Sequence, residues 1–302
     1  MLPSYLEKLT IIDLRERSEK LNALMESCTI CPNECGTNRI TEDTGKCCSS
    51  AKVLVSSISP HFGEEPPLVG KCGSGTIFFT NCNLKCVFCQ NYDISHLGNG
   101  REISIEQLSD AMIQLQNKGC HNINFVTPTH FTPQIISALA IAVEKGLEIP
   151  IVYNCGGYES VETLKLLDGI IDIYMPDIKY SSNEIAFKYS GVKNYWTKVK
   201  AAVLEMYRQV GHLKISNSGI AKRGLLIRHL VLPNDLAGSR EVINFIAEEI
   251  SKDSYVNIMD QYRPAHQAHK HSELNRVITS DEYYQVINWA EEAGLHRGFV
   301  EK

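Results

Sequence analysis

No apolar run in the chain approaches the roughly 18–20 residues that a membrane-spanning helix needs. An excess of positive charge is also missing. Thirty Lys and Arg stand against 35 Asp and Glu, a formal net charge of −5, which does not suggest a nucleic-acid or membrane-surface binder, since either usually shows a basic patch. Internal repeats and low-complexity segments are absent, so nothing points to a repeat architecture. The opening "MLPSYLEKLTIIDLRERSEKLNALMES" lacks the basic, apolar and small-residue succession of a signal peptide. It alternates charged and apolar residues at helical spacing, reads as an amphipathic helix, and leads us to expect a cytoplasmic location. A complete disulfide framework is disfavoured too, because the cysteine count, eleven, is odd.

What is present suits an α/β protein with a sizeable core. The 302 residues, 43% of them hydrophobic, suffice for one large α/β domain with an extension. Composition changes near residue 70. Residues 1–71 read as a helix and a turn-rich, cysteine-bearing extension, and residues 72–302 as the main domain. In the latter, short runs rich in Ile, Val, Phe and Tyr predict strands at 76–80, 123–127, 149–154, 171–179, 225–232 and 255–260. Helical stretches lie between them, among them "SIEQLSDAMIQLQNKG" and "NYWTKVKAAVLEMYRQVG", several opening on Ser or Thr and closing on Gly. Regular β/α alternation implies a parallel sheet with right-handed crossovers. About six such units suggest a barrel or partial barrel, with an open doubly wound sheet as the alternative. In either fold chemistry gathers at the C-terminal ends of the strands.

The first strand runs straight into "NCNLKCVFCQN", with Cys82, Cys86 and Cys89 spaced C-x3-C-x2-C. Three thiolates in a short loop wrap one face of a compact centre, and clustered thiolates suit iron–sulfur or zinc. A four-iron cube held by three cysteines keeps one iron open, the mark of a catalytic site. The plainer reading is a structural zinc completed by Cys72 or a distant residue.

The cysteine spacing, with Phe88 as the aromatic residue before the last thiol, resembles the radical S-adenosylmethionine (SAM) signature. "HFGEEPPLVG", "GSGTIFF", "INFVTPTHFTPQII", "IVYNCGGYES", "DIYMPDIKY", "RHLVLPND" and the N-terminal "CTICPNECG" extend the likeness to a branch related to pyruvate formate-lyase activating enzyme. The resemblance implies a partial (β/α)6 TIM-like barrel of the radical SAM type with a cysteine-rich N-terminal extension. It implies a 4Fe–4S cluster on Cys82, Cys86 and Cys89, with S-adenosyl-L-methionine on the open iron. Reductive cleavage would then give a 5′-deoxyadenosyl radical that abstracts hydrogen from a substrate, fed by a flavodoxin- or ferredoxin-type reductant. The substrate would be a small molecule or a protein such as a glycyl radical enzyme.

The other strand ends supply candidates for the rest of the site. Asp177 and Lys179 are two apart, so on a strand both point to one face, and buried opposite charges need each other or a ligand. The matching Asp-x-Lys of activating enzymes lies by the cofactor, which makes this pair the catalytic candidate; the plain alternative is an internal salt bridge. Asn154, before a Gly-Gly turn, matches a strand end near the cofactor's ribose and methionine parts, against an ordinary strand-to-helix turn. Arg228, inside the apolar "LLIRHLVLP", wants an anionic partner, either a cofactor or substrate carboxylate or an internal salt bridge. His229 alternates to the opposite face. At the second strand end activating enzymes carry Gly-Gly-Glu, whereas this chain has "TPTH". Thr127, Thr129 and His130 are therefore the candidates to take over that cofactor contact.

Three further groups stand out. Cys28, Cys31, Cys35 and Cys47 form C-x2-C-x3-C-x11-C, a closed set of four thiols that suits structural zinc or an auxiliary iron–sulfur cluster equally well, with Cys48 able to replace Cys47. His61, Glu64 and Glu65 lie in a proline-stiffened segment as a mouth cap or a solvated turn. His266, His269 and His271 are spaced for a metal or for a solvated loop. The functional expectation is a radical SAM enzyme; the alternative is a non-enzymatic iron–sulfur or zinc protein that carries electrons or scaffolds a partner.

Overall fold

A computed structural model describes residues 2–299. Among them the strands are β1 (Val53–His61), β2 (Ser74–Phe79), β3 (Arg101–Ile103), β4 (Ile123–Val126), β5 (Ile151–Cys155), β6 (Ile173–Pro176), β7 (Lys214–Ile215), β8 (Ala221–Leu230) and β9 (Tyr255–Met259). They form one sheet in the order β3-β1-β2-β4-β5-β6-β8-β7, with β9 also on β8. The ladder β2-β4-β5-β6-β8-β9 is parallel throughout, the expected six-stranded partial barrel. Among the described residues no helix is long and apolar enough to cross a membrane.

Three strands were not expected from the sequence. Strand β1 pairs antiparallel with β2 and β3, so the sheet takes in residues from 53 onward. Its apolar alternation is broken by a register shift between Val55 and Ser57, and Pro60 lies beyond the reach of β3. Strands β3 and β7 are three and two residues long, too short to show a period.

The predicted helical stretches are all found, and Asn183–Ser190 and Ser280–Glu292 are helices that were not expected. The helix Ile105–Asn117 starts on a capping box between Ser104 and Gln107. Ile11–Ala23 does the same with Thr10 and Asp13. That N-terminal helix lies against Thr132–Glu144, where Ser18 Oγ meets Ser137 Oγ at 2.6 Å and Arg15 pairs with Glu144 at 2.6 Å. Strand residues alternate between two cores. Ile123, Phe125, Ile151, Tyr153 and Ile227 face the outer helices, while Val152, Ile173, Met175 and Leu226 pack with Leu68 in the barrel interior. Along each inward-facing series the residues turn polar toward the strand end: Val152 then Asn154, Met175 then Asp177, Leu226 then Arg228. The interior is thus mostly apolar at its base and charged at its mouth.

Candidate active site

The cysteine loop leaves β2 through Asn81, whose φ of +65° is reached readily by asparagine and turns the chain sharply. Its amide side chain donates to Cys48 O at 3.1 Å and Ser49 Oγ at 3.0 Å. The loop is then held from several directions. Asn83 Nδ2 donates to Tyr158 O at 2.8 Å, and Asn33 Nδ2 donates to Asn83 O at 2.9 Å. Lys85 N and Val87 N donate to Ser190 O and Tyr189 O, and Val87 O accepts from Gln267 N at 2.8 Å. Phe88, 5% exposed, sits edge-on to Tyr180 and Tyr262 at 6.3 and 5.8 Å, an aromatic floor under the loop.

All three loop thiols are unpaired, Cys86 buried and Cys82 and Cys89 half-buried. Burial pushes the Cys82 thiol up to about 12; the Cys86 and Cys89 charges add to this, and Lys179 opposes it. Burial raises Cys86 too, with Lys179 opposing and Cys89 adding. Two thiols held protonated by burial next to a third are a natural set around a cationic metal centre, which would favour their thiolates. Among the described residues no three Cys, His, Asp or Glu side chains close narrowly enough on one point for a single ion.

Asn154, Asp177, Lys179 and Arg228 converge, as the sequence suggested. Asp177 Oδ1 accepts from Arg228 Nε at 2.7 Å and Oδ2 from Lys179 Nζ at 2.6 Å. Arg228 Nη2 donates to Asn154 Oδ1 at 2.8 Å. Burial alone would raise the Asp177 carboxyl, but Arg228 and Lys179 overcome it and hold it near about 2. Burial works against the Lys179 ammonium, yet Asp177 and the Cys86 charge leave its pKa raised, so it is a fixed cation beside the thiols. Gly157 makes the approach possible: at its φ of +75° a Cβ would lie 2.5 Å from Asp177 O.

Glu64 and Glu65 correct the expectation of a cap on the mouth or a solvated turn. His61 pairs with Ser74, the first residue of β2, so the segment starts at the opposite end of the barrel. From there Glu64 Oε2 comes within 3.6 Å of Arg228 Nη1, and Glu65 Oε1 accepts from Asn257 Nδ2 at 2.9 Å. Burial lifts the Glu64 carboxyl to about 7 against the pull of Arg228. Inside the barrel Glu65 Oε2 and both amide atoms of Asn124 are buried without a protein partner. Such orphaned groups suit a polar ligand.

At the second strand end Thr127 has a φ of +59° and its N–H donates to Asn154 O at 2.9 Å. Thr129 Oγ1 donates to Glu159 Oε1 at 2.6 Å, and Tyr153 OH donates to the other oxygen at 3.2 Å. Burial lifts Glu159 to about 8 against those donors. His130 Nε2 lies 2.8 Å from Thr80 O, its Nδ1 is buried without a partner, and burial lowers its pKa to about 3. Thr129 and His130 thus brace the turn and the start of the cysteine loop. Glu159 stood unremarked in "YES", since nothing local separates it from a solvated turn residue. Cys155 is buried, as a small core residue should be.

The N-terminal thiols lie behind the loop. Cys28, Cys31 and Cys47 are buried and Cys35 is half-buried. Burial pushes Cys31 up to about 12, with the Cys47 charge adding to it. Asn33 Nδ2 approaches Cys31 Sγ at 3.6 Å and Lys46 N donates to Cys35 Sγ at 3.3 Å. The histidines of "HQAHKH" do not converge. His266 stacks on Tyr92, His269 Nδ1 is 3.0 Å from His266 O, and His271 faces the Tyr189 ring.

A six-stranded parallel partial barrel whose first parallel strand delivers three thiols to its mouth is the class of site that radical SAM proteins use. Comparison with known proteins agrees. The family model described as "Radical SAM superfamily" matches residues 76–221. An uncharacterized protein of Methanocaldococcus jannaschii is 32% identical over 295 residues, 95% of this chain and 80% of that protein. The pyruvate formate-lyase-activating enzyme of Clostridium pasteurianum is 26% identical over 199 residues, 63% of this chain and 75% of that enzyme. Among solved structures, Streptococcus suis SuiB bound to precursor peptide SuiA shares the fold. The TM-score is 0.51 at 13% identity, over 73% of this chain and 46% of that one. The chain belongs to the radical SAM superfamily, whose members are enzymes that use a 4Fe–4S cluster and SAM.

Proposed function

We propose that this chain is a radical SAM enzyme that abstracts hydrogen from a substrate held across the strand ends. The observation that carries the reading is the meeting of three unpaired thiols with the Asp177–Lys179–Arg228–Asn154 cluster at one barrel mouth. Cys82, Cys86 and Cys89 would hold three irons of the cluster and leave the fourth for SAM. When bound, cluster and cofactor supply a one-electron reductive cleavage whose product removes hydrogen. Lys179 sets a positive charge beside the thiolates, and Asp177 fixes that ammonium. Asn154, oriented by Arg228, offers its amide to ribose hydroxyls, while Leu84 and Phe88 keep water out. The electron would come from a flavodoxin- or ferredoxin-type donor.

The test is anaerobic reconstitution, reduction and assay for 5′-deoxyadenosine. Product is expected from the wild type and none from Cys86→Ala, which should remain folded. An intact cluster that yields no product would favour the non-enzymatic alternative. The likeness to the activating enzyme named above favours one specific version, installation of a glycyl radical on a partner enzyme. A glycyl radical EPR signal on such a partner supports that version; product without the signal refutes it.

For the N-terminal set we infer a second metal centre on Cys28, Cys31, Cys35 and Cys47. The burial of Cys28, Cys31 and Cys47, the electrostatic reach of Cys47 to Cys31 and Cys28, and a backbone N–H on Cys35 support it. Four thiols suit a structural zinc and an auxiliary iron–sulfur cluster equally well. Metal analysis of a C82A/C86A/C89A variant decides: residual iron supports a cluster, residual zinc a structural ion, and neither refutes the site.

A further inference from the structure

Two of the three loop thiols end in hydroxyl relays, and the third does not. Ser190, fully buried at the end of the helix Asn183–Ser190, puts its Oγ 3.0 Å from Cys86 Sγ and 2.8 Å from the Tyr180 hydroxyl. Ser95, at the end of the short helix Tyr92–Ser95, puts its Oγ 3.1 Å from Cys89 Sγ and 2.9 Å from His96 Nδ1. Cys82 has the Leu84 N–H at 3.4 Å, and its other polar neighbour, Asn83 Oδ1 at 3.8 Å, is an acceptor that a thiolate cannot use.

Metal ligation would fix the direction of both relays. A ligating cysteine is a thiolate and can only accept, so each serine must turn its O–H toward sulfur. The serine oxygen then accepts from the group behind it, the Tyr180 O–H in one case and His96 Nδ1–H in the other. That tautomer places the His96 proton on Nδ1 and leaves Nε2 as an acceptor. The His96 ring is held by His266 at 4.5 Å, itself stacked on Tyr92 at 5.1 Å. His266 reaches that place with a φ of +48°, so the loop after β9 spends backbone strain on holding the ring.

We propose that Ser190–Tyr180 and Ser95–His96 are positioning relays that hold the Cys86 and Cys89 thiolates and raise the reduction potential of the cluster they carry. The inference rests on the cluster reading given above. Hydrogen bonds donated to ligand sulfur withdraw negative charge and stabilise the reduced, more negative state. The centre thereby comes within reach of a one-electron protein donor.

The experiment is an EPR-monitored redox titration of the reconstituted full chain, with iron counted per chain. Ser190→Ala and Ser95→Ala should keep wild-type iron content and shift the midpoint to more negative values. The reduced-to-oxidised ratio at a fixed potential should fall severalfold, since the bond is made in both states and only its strengthening on reduction counts. The two changes should add in the double variant. Ser190→Thr and Ser95→Thr, which keep the hydroxyl, should restore the wild-type potential. Tyr180→Phe should shift it in the same direction by less. Unchanged potentials at full iron content overturn the relays. If S190A takes up no iron, Tyr180→Phe decides for that relay, because it leaves the serine on Cys86: full iron with an unshifted midpoint overturns it. A wild-type chain that assembles no four-iron centre overturns the underlying functional reading instead, and its iron count tells the two failures apart.

Discussion

Arg228 is the residue on which the interior charge balance turns. It donates to Asp177 and Asn154 and faces Glu64, so three polar partners depend on one guanidinium. Removing one partner of a buried ion pair leaves an uncompensated charge. Arg228→Met should therefore cost about 3–5 kcal/mol in chemical denaturation. An unchanged midpoint would mean that water reaches the cluster. The carboxylates then answer pH in opposite senses. Asp177 is held near about 2, below its unfolded value of about 3.9, so its contribution is present above that value and lost as the pH falls toward 2. Glu64 is raised to about 7 from an unfolded value of about 4.3, so its contribution is full below that value and lost as the pH rises toward 7. Glu64→Gln should abolish this second loss. Its melting temperature relative to wild type should climb between pH 5 and pH 7 and level off above. A difference that does not vary with pH would show that Glu64 keeps its ordinary pKa. Asp177, Lys179 and Arg228 were legible in the sequence because charges within or at the end of an apolar strand are expensive unless paired, and Asn154 through the resemblance and the Gly-Gly turn after it. Ser190 was not, since its value lies in a contact with Cys86 across 104 positions.

Elements were more legible than side chains because periodicity is local. All six parallel strands and most of the longer helices lie where apolar runs and caps put them, within a few residues; the helix Ser280–Glu292 was not expected. Strand β1 was invisible for a physical reason: a bulge breaks its alternation, and its worth comes from pairing with β2. The turn after β5 links element to site most tightly. A Cβ on Gly157 would meet Asp177 O at 2.5 Å under a φ of +75°, whereas one on Gly156 would meet Leu84 Cδ1, the movable end of a side chain, at 2.7 Å. Gly157→Ala should thus cost about 1–3 kcal/mol and displace Asp177, reducing 5′-deoxyadenosine formation strongly. Gly156→Ala should be milder in both respects because Leu84 can yield. Equal effects of the two variants would show that the Asp177 backbone is not what the glycine spares.

On the scale of the whole molecule, segments remote in sequence meet on the cysteine loop. The N-terminal extension reaches it through Asn33, which donates to Asn83 O, and through Cys48 and Ser49, which accept from Asn81. The C-terminal region reaches it through Gln267, which donates to Val87 O. None of these contacts involves a thiol, yet together they set where the thiols stand. Loss of one should therefore loosen the loop more than it destabilises the fold. Asn33→Ala removes a donor from the carbonyl of buried Asn83 in a part-buried hydrogen bond, a cost of about 1 kcal/mol that the barrel should withstand. The loop would open more often, and a bound cluster would be exposed to oxygen in proportion. Cluster absorbance after admission of air should decay severalfold faster in N33A than in the wild type, with the melting temperature of the iron-free chain nearly unchanged. Equal decay rates would mean that the extension lies beside the loop without restraining it. A large fall in melting temperature would instead make Asn33 a support of the barrel as a whole.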